Sequence, residues 1–272
     1  LIMFFKAKFS KYYYIKIKNS TAPLYWLLLH GFMGTHKEFL NVATQLPGTI
    51  IIPDLLGHGQ SDVNNDTKYF SIEQQADDLV ALSKQITTQR VNIWGYSMGG
   101  RLALALALRY PEIVNHLYLE SSTAGIKSPA ARQARITNDH NLALRLQTAT
   151  SLTDFVDFWE NLPLFHSQKD LSFETQAFVR NQRLQQSGIG LAKSLCGMGT
   201  GKMPNYWNQL PFLQSTTTLF AGELDTKFSN ITRDMQLLIP NSKRVVIPGV
   251  GHNVHLENPN AILTTILQRK YL

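Results

Sequence analysis

Apolar and polar positions along this chain follow two alternating periods. Short β-branched or aromatic runs at 12–18, 26–30, 49–53, 91–95, 116–120, 217–221 and 244–247 read as strands, the later ones apolar nearly throughout. Strands of that kind are covered on both faces. Helical spacing separates them near 37–46, 72–86, 98–110 and 261–269. The second helix opens on a capping box, with Ser71 capping and Gln74 reaching back. The run "LALALALRYP" alternates like a strand, but alanine and leucine are strong helix formers and Pro111 supplies a stop, so it reads as helix. Strands and helices alternating over short joints predict an α/β fold with a parallel sheet wound on both sides.

One stretch breaks the rhythm. Residues 125–210 show helical patterns and no convincing buried strand. An insertion of that length between two strands reads as a helical lid over a core formed by residues 1–124 and 211–272.

Composition changes this picture little. The chain has 272 residues, enough for one large α/β domain or two small ones, and its 44% apolar and 17% charged residues suit a folded globular protein. A net charge of +7 would suit nucleic acid, a membrane surface or a small anionic substrate. The basic residues are dispersed, so nucleic acid is not expected. The single cysteine, Cys196, allows no internal disulfide or multi-cysteine metal site and agrees with a cytoplasmic setting. The N-terminal apolar run ends at Lys6, too short for a signal peptide, and Leu1 and Ile2 precede Met3 as added residues or the product of an upstream start. No run has the length of a membrane span, so no stable membrane association is expected. Nor is there a dinucleotide fingerprint, a P-loop or a zinc-protease motif, and neither cofactor nor metal is expected.

Candidate chemistry begins at "GYSMG", residues 95–99. The motif carries little weight alone. Here it joins a buried strand to a helix, the setting a nucleophile elbow needs to expose Ser97 at the strand's C-terminal end. Gly95 and Gly99 suit a turn too tight for side chains. A serine nucleophile needs a base, and the base needs an orienting carboxylate. Asp225 in "FAGELDTKF" and His252 in "VVIPGVGHNVHLENP" follow two later strands in the chain order of the α/β-hydrolase fold. Glu223 competes with Asp225, but two residues along an extended segment it points elsewhere. His58 and His255 read as structural. "LLLHGFMGT" supplies a glycine-rich turn after a strand, so the backbone N–H groups of Phe32 and Met98 are the expected oxyanion donors.

These motifs resemble the α/β-hydrolase superfamily over nearly the whole chain. "GYSMGGR", "W-x-x-L-P-L-F" and "D-x-K-F", with "ARQARITND" and "GTGKMPNYWNQL", are similar more narrowly to the 2-succinyl-6-hydroxy-2,4-cyclohexadiene-1-carboxylate synthases of menaquinone biosynthesis. That resemblance implies a lyase that eliminates pyruvate from an enolpyruvyl cyclohexene bearing three carboxylates. It also implies substrate-holding arginines at Arg101, Arg135 and Arg180, with Arg183 competing for the third place, and pocket roles for Tyr96 and Trp159. Arg101 lies one helical turn beyond Ser97, where it either meets a carboxylate at the pocket floor or pairs with a core acid. A serine hydrolase of small anionic esters or carbon–carbon bonds, and a ligand receptor on the same fold, stay open. The assembly expected is a monomer or homodimer.

Overall fold

In the computed structural model, which describes residues 2–63, 66–148 and 150–268, eight strands form one sheet in the order β1-β2-β4-β3-β5-β6-β7-β8. They are β1 (Ile2–Lys6), β2 (Lys11–Lys18), β3 (Tyr25–Leu29), β4 (Thr49–Pro53), β5 (Val91–Tyr96), β6 (Val114–Glu120), β7 (Thr216–Gly222) and β8 (Ser242–Ile247). The six strands from β3 to β8 run parallel, whereas β1 and β2 add an antiparallel edge. The sheet is mostly parallel, as expected. The run at 2–6 reads from sequence only as an apolar stretch too short for export. It becomes a strand because β2 offers it a free edge.

Alternation along each inner strand divides the core. Leu27 and Leu29 face one layer with Ile51 and Ile93, while Trp26 and Leu28 face the other with Ile50, Ile52 and Trp94. Both layers are covered by helices, which is why these strands show no polar face. α2 (Ile72–Ile86) and α3 (Met98–Arg109) cover the first; α1 (Leu40–Ala43) and a C-terminal helix (Pro259–Leu267) cover the second. The "LALALAL" segment is helical, buried from Met98 through Ala107 between sheet and α2. Burial on all sides erases the amphipathic signature.

Two local expectations need correction. The helix expected over 37–46 is a 3₁₀ turn (His36–Phe39) followed by the single turn α1. There Thr44 and Gln45 side chains both donate to the Asn41 carbonyl, competing with a longer helix. The capping box is half formed. Ser71 Oγ accepts from the Gln74 N–H at 3.2 Å, but the Gln74 side chain donates forward to Asp78 Oδ1 at 3.0 Å. The Ser71 N–H already donates to the Lys68 carbonyl, leaving nothing to reach back for.

Between β6 and β7 the described residues contain four α-helices and no strand: α4 (Pro129–Thr148), α5 (Thr153–Glu160), α6 (Phe173–Leu184) and α7 (Gly188–Met198). They share a small core of Ala143, Leu146, Phe155, Val156, Leu191 and Leu195 with Met33 of the sheet domain. After β7 comes α8 (Thr226–Gln236), and after β8 come α9 (Val254–Glu257) and α10, the Pro259–Leu267 helix. Leu1 and Arg269, the expected last residue of that helix, lie outside the described residues.

α9 is pinned to β6 by a buried ion pair. Glu120, fully buried at the end of β6, accepts from Trp94 Nε1, the His255 backbone N–H and His255 Nδ1, each at 2.9–3.0 Å. Burial alone would lower the His255 pKa, but the Glu120 carboxylate outweighs it and raises it above 6.5. A raised folded-state value contributes stability that is complete below 6.5 and lost as pH climbs through that raised value. Urea unfolding should therefore show a larger gap between wild type and Glu120→Gln at about pH 6 than at about pH 9, since free imidazole titrates near 6.5. A gap that widens with pH would contradict a protonated His255.

Candidate active site

The C-terminal ends of β3, β5, β7 and β8 converge where the sheet order reverses around β3. Open α/β sheets place their reacting groups at such an end. β5 runs into Ser97, held at φ 51° and ψ −107°, with its N–H donating to the Glu120 carbonyl at 2.8 Å. A Cβ on Gly95 would strike the Gly99 and Gly100 backbone, and one on Gly99 the Leu29 and His30 backbone. α3 can start this close to β3 only because neither residue has a side chain. Among the described residues the non-glycine positive φ values are those of Met33, Ser97 and Ser121, all at this end of the sheet. Each stores roughly 1–3 kcal/mol of strain that the surrounding packing must sustain.

His252 Nε2 lies 2.9 Å from Ser97 Oγ, and its Nδ1 lies 2.6 Å from Asp225 Oδ2. With Nδ1–H donating to the carboxylate, Nε2 is free to accept the serine proton. Asp225 has a second duty: its Oδ1 accepts the Phe228 N–H and caps α8. Glu223, the competitor, is exposed and accepts the Gly249 N–H instead.

The loop after β3 fixes a donor beside them. His30 is fully buried; its Nε2 accepts the Leu55 N–H, so Nδ1 carries the proton and donates to the Gly31 carbonyl at 2.8 Å. The Gly34 N–H reaches the same carbonyl at 3.1 Å. Holding that oxygen from two sides sets the Gly31–Phe32 peptide plane and aims the Phe32 N–H the opposite way. Met98, the first residue of α3, brings an N–H that no helical turn satisfies. Burial lowers the His30 pKa and pushes that of His58, packed against it at 5.1 Å, down to about 3. Both imidazoles are neutral fillers of the core.

A cavity of about 230 Å³ opens over Ser97 and His252. Phe32, Met98, Tyr96, Trp159, Arg101 and Arg135 all line it. Arg101 is 7% exposed and donates through Nη1 to the carbonyl of Met198, the last residue of α7, at 2.5 Å. No carboxylate pairs with it among the described residues. Desolvation, then the like charge of Arg135, push the guanidinium down to about 9. Arg135 donates through Nε to buried Asp139 at 2.8 Å. Tyr96 packs its ring 5.4 Å from that of His252. Trp159 stacks on Phe155 and meets Phe32 edge-on, and its buried Nε1–H has no partner among the described residues. An orphaned indole donor on a residue that lines the cavity suits a ligand acceptor.

Arg180 is not brought to this cavity. Its guanidinium is held by Asp157 and Glu160, each at 2.7 Å, on the outer side of α5 and α6. Arg183 does not line the cavity either, because Glu160 and Gln168 bind it over the Phe165 ring. Asp157 and Glu160, one turn apart on α5, could not be matched to either arginine from sequence, since the helix crossing decides the pairing. Lys227 and Phe228, by contrast, line the cavity without having been singled out. Their signal was present in "D-x-K-F". No group of three or more His, Cys, Asp or Glu side chains among the described residues is arranged to hold a metal ion.

The α/β-hydrolase fold model matches residues 27–259. The chain belongs to the α/β-hydrolase family. Within it, a Bacillus subtilis protein assigned provisionally as 2-succinyl-6-hydroxy-2,4-cyclohexadiene-1-carboxylate synthase is 40% identical over 85% of this chain and 84% of its own. The enzyme of that name from Enterobacter is 29% identical over 89% and 90%. The solved structure of MenH from S. aureus superposes with a TM-score of 0.89 at 35% identity, covering 94% of this chain and 96% of the other. A thermophilic esterase from Thermogutta terrifontis, with malate bound, gives 0.85 at 25% identity, over 98% and 97%. As in other α/β-hydrolases, everything here depends on the glycine-lined elbow. Gly95→Ala and Gly99→Ala should each destabilise by about 1–3 kcal/mol in urea unfolding and abolish fluorophosphonate labelling of Ser97. Gly249→Ala, where a Cβ would meet nothing within 4 Å, should cost only the strain of its φ of 69° and leave labelling intact.

Proposed function

We propose that this α/β-hydrolase is a lyase of menaquinone biosynthesis. It eliminates pyruvate from 2-succinyl-5-enolpyruvyl-6-hydroxy-3-cyclohexene-1-carboxylate to give 2-succinyl-6-hydroxy-2,4-cyclohexadiene-1-carboxylate. The observation that carries this reading is Arg101, a buried cation without a carboxylate partner, sharing one cavity with Arg135, Ser97 and His252. A neutral ester gains nothing from such a cation. A tricarboxylate supplies the missing partners through paired charge-assisted hydrogen bonds. The relatives' names agree with it.

The geometry supports the following chemistry, with Ser97 taken as the base on the strength of the family resemblance. His252, oriented by Asp225, draws the proton from Ser97, and the alkoxide takes the ring C–H proton that the succinyl ketone acidifies. The C–H electron pair moves into the ring, and its double bond shifts to expel the enolpyruvyl oxygen. The ketone oxygen carries the negative charge meanwhile, facing the Phe32 and Met98 N–H groups. The proton returns through His252 to the departing enolpyruvate, which becomes pyruvate. No water and no acyl-enzyme enter. Trp159 donates to a substrate oxygen, and residues 125–210 form the lid that keeps solvent out. The setting is cytoplasmic, and no described helix is long and apolar enough to cross a membrane.

The intact Ser97–His252–Asp225 relay and the likeness to an esterase favour a second reading, ester hydrolysis. Pyruvate release with growth of diene absorbance distinguishes the two. Ester turnover without pyruvate would establish the hydrolase.

Ser97→Ala, His252→Ala and Asp225→Asn should each cut pyruvate release by orders of magnitude, and combining them should cost little beyond the worst single change. Near-additive losses would break the relay. Arg101→Ala should lower kcat/KM on the tricarboxylate about ten- to a hundredfold, because one charge-assisted bond is worth about 1.5–3 kcal/mol. Lysine should rescue it only in part, and neutral p-nitrophenyl esters should be unaffected. Equal losses on both substrates would make Arg101 a support of the elbow.

A further inference from the structure

We propose that Glu38 is a positioning residue that ties the oxyanion loop to the loop carrying His252. This rests on the reading of Phe32 and His252 given above. Glu38 sits in the 3₁₀ turn after β3 and touches no reacting group. Its two carboxylate oxygens are divided between two distant parts of the chain. Oε2 accepts the Gly31 N–H at 3.2 Å, and Oε1 accepts the Asn253 side-chain amide, 215 residues on, at 2.9 Å. The oxyanion loop wraps round this carboxylate so closely that a Cβ on Gly34 would lie against Oε2.

Both ends of the tie matter to the chemistry. Gly31 contributes the carbonyl of the peptide whose N–H belongs to Phe32. With that carbonyl held by His30 and Gly34 and the Gly31 N–H held by Glu38, the donor peptide is fixed at its front and at the residue before it. On the other side, Asn253 follows His252 directly. Its Oδ1 caps α9 by accepting the Leu256 N–H, while a second carboxylate, Glu257, accepts the Gly251 and Asn253 backbone N–H groups at 2.6 and 3.3 Å. The peptides flanking His252 are thus anchored to α9, and Glu38 is what links that anchored unit to the oxyanion loop. Base and donor must keep a common frame, because misplacement by about 1 Å costs on the order of a hundredfold in rate.

A carboxylate is required, since both partners are donors. Glutamine has one acceptor oxygen and one NH₂, so it satisfies Gly31 or Asn253 but not both. Asn253→Ser breaks the same link from the opposite end, while serine keeps the α9 cap.

The test compares Glu38→Gln, Asn253→Ser and the double variant with wild type. It measures kcat and KM for pyruvate release, the rate of fluorophosphonate labelling at Ser97, and thermal melting. Loss of the shared frame should lower kcat and the labelling rate in parallel, about ten- to a hundredfold, with KM changed less than about threefold. The double variant should lose no more than the worse single one, because both remove one link. Unchanged kcat, a loss confined to KM, or additive losses would overturn the proposal. Should Glu38→Gln fail to fold, Asn253→Ser alone decides by the same kcat and labelling criteria. A wild type that is labelled but releases no pyruvate would refute the lyase reading, and the labelling rates would still judge Glu38. Wild type that is neither active nor labelled would overturn both.

Discussion

The close approach of α3 to the sheet governs this molecule. Gly99 leaves its helix in contact with the Leu29 and His30 backbone, and Gly95 leaves the strand in contact with the helix. From that contact follow the strained backbone of Ser97, the open N-terminus of α3 beside it and the short path from Ser97 Oγ to His252. The strain persists because core residues buried on both faces of β3 and β5 over-determine the turn. Without two glycines the helix would ride outward and separate Ser97 from the Phe32 peptide.

Charge is distributed around that turn by sign. The carboxylates Glu38, Glu120, Asp225 and Glu257 lie behind the loops, each occupied by backbone or side-chain N–H groups that it orients. The cations Arg101 and Arg135 face the cavity. Among the described residues Arg101 hydrogen-bonds the carbonyl end of α7 and a methionine sulfur, with the Asp139 charge acting on it from beyond hydrogen-bond reach, a weak neutralisation for a buried guanidinium. Acids position the loops, Arg135 is paired with Asp139, and Arg101 is left without a carboxylate hydrogen-bond partner among the described residues. The basic balance of the chain acquires a local meaning here that its dispersed lysines do not convey.

The helices between β6 and β7 bear on the same place. Gln182 of α6 accepts from Thr35 at 2.7 Å, and Gln186 both donates toward the Met33 and Gly34 carbonyls and accepts the Gly59 N–H. Met33, in the oxyanion loop, packs into the helical segment's own core. The segment therefore braces the loop from above while Glu38 braces it from below. In the lyase reading, a lid seated this way couples closure over the substrate to the alignment of the Phe32 donor.

The sequence by itself determined the elements whose cause is local. The inner parallel strands β3, β4 and β5 were legible because burial on both faces makes them nearly continuously apolar, and the elbow because a serine between two glycines joins strand to helix there. Asp225 and His252 were legible because chain order and strand ends leave little choice, and Arg101 because a fixed helical turn carries it from Ser97. Tertiary structure decided whatever depends on partners far along the chain. It made an edge strand of 2–6 by giving it β2, shortened the helix at 37–46, and turned the Gln74 side chain forward to Asp78. It drew Arg180 to Asp157 and Glu160 through the crossing of α5 and α6, which no spacing encodes. It also gave Glu38 its place, since an acceptor shared by Gly31 and Asn253 exists only once the loops after β3 and β8, with three strands between them in the sheet, meet over its C-terminal edge.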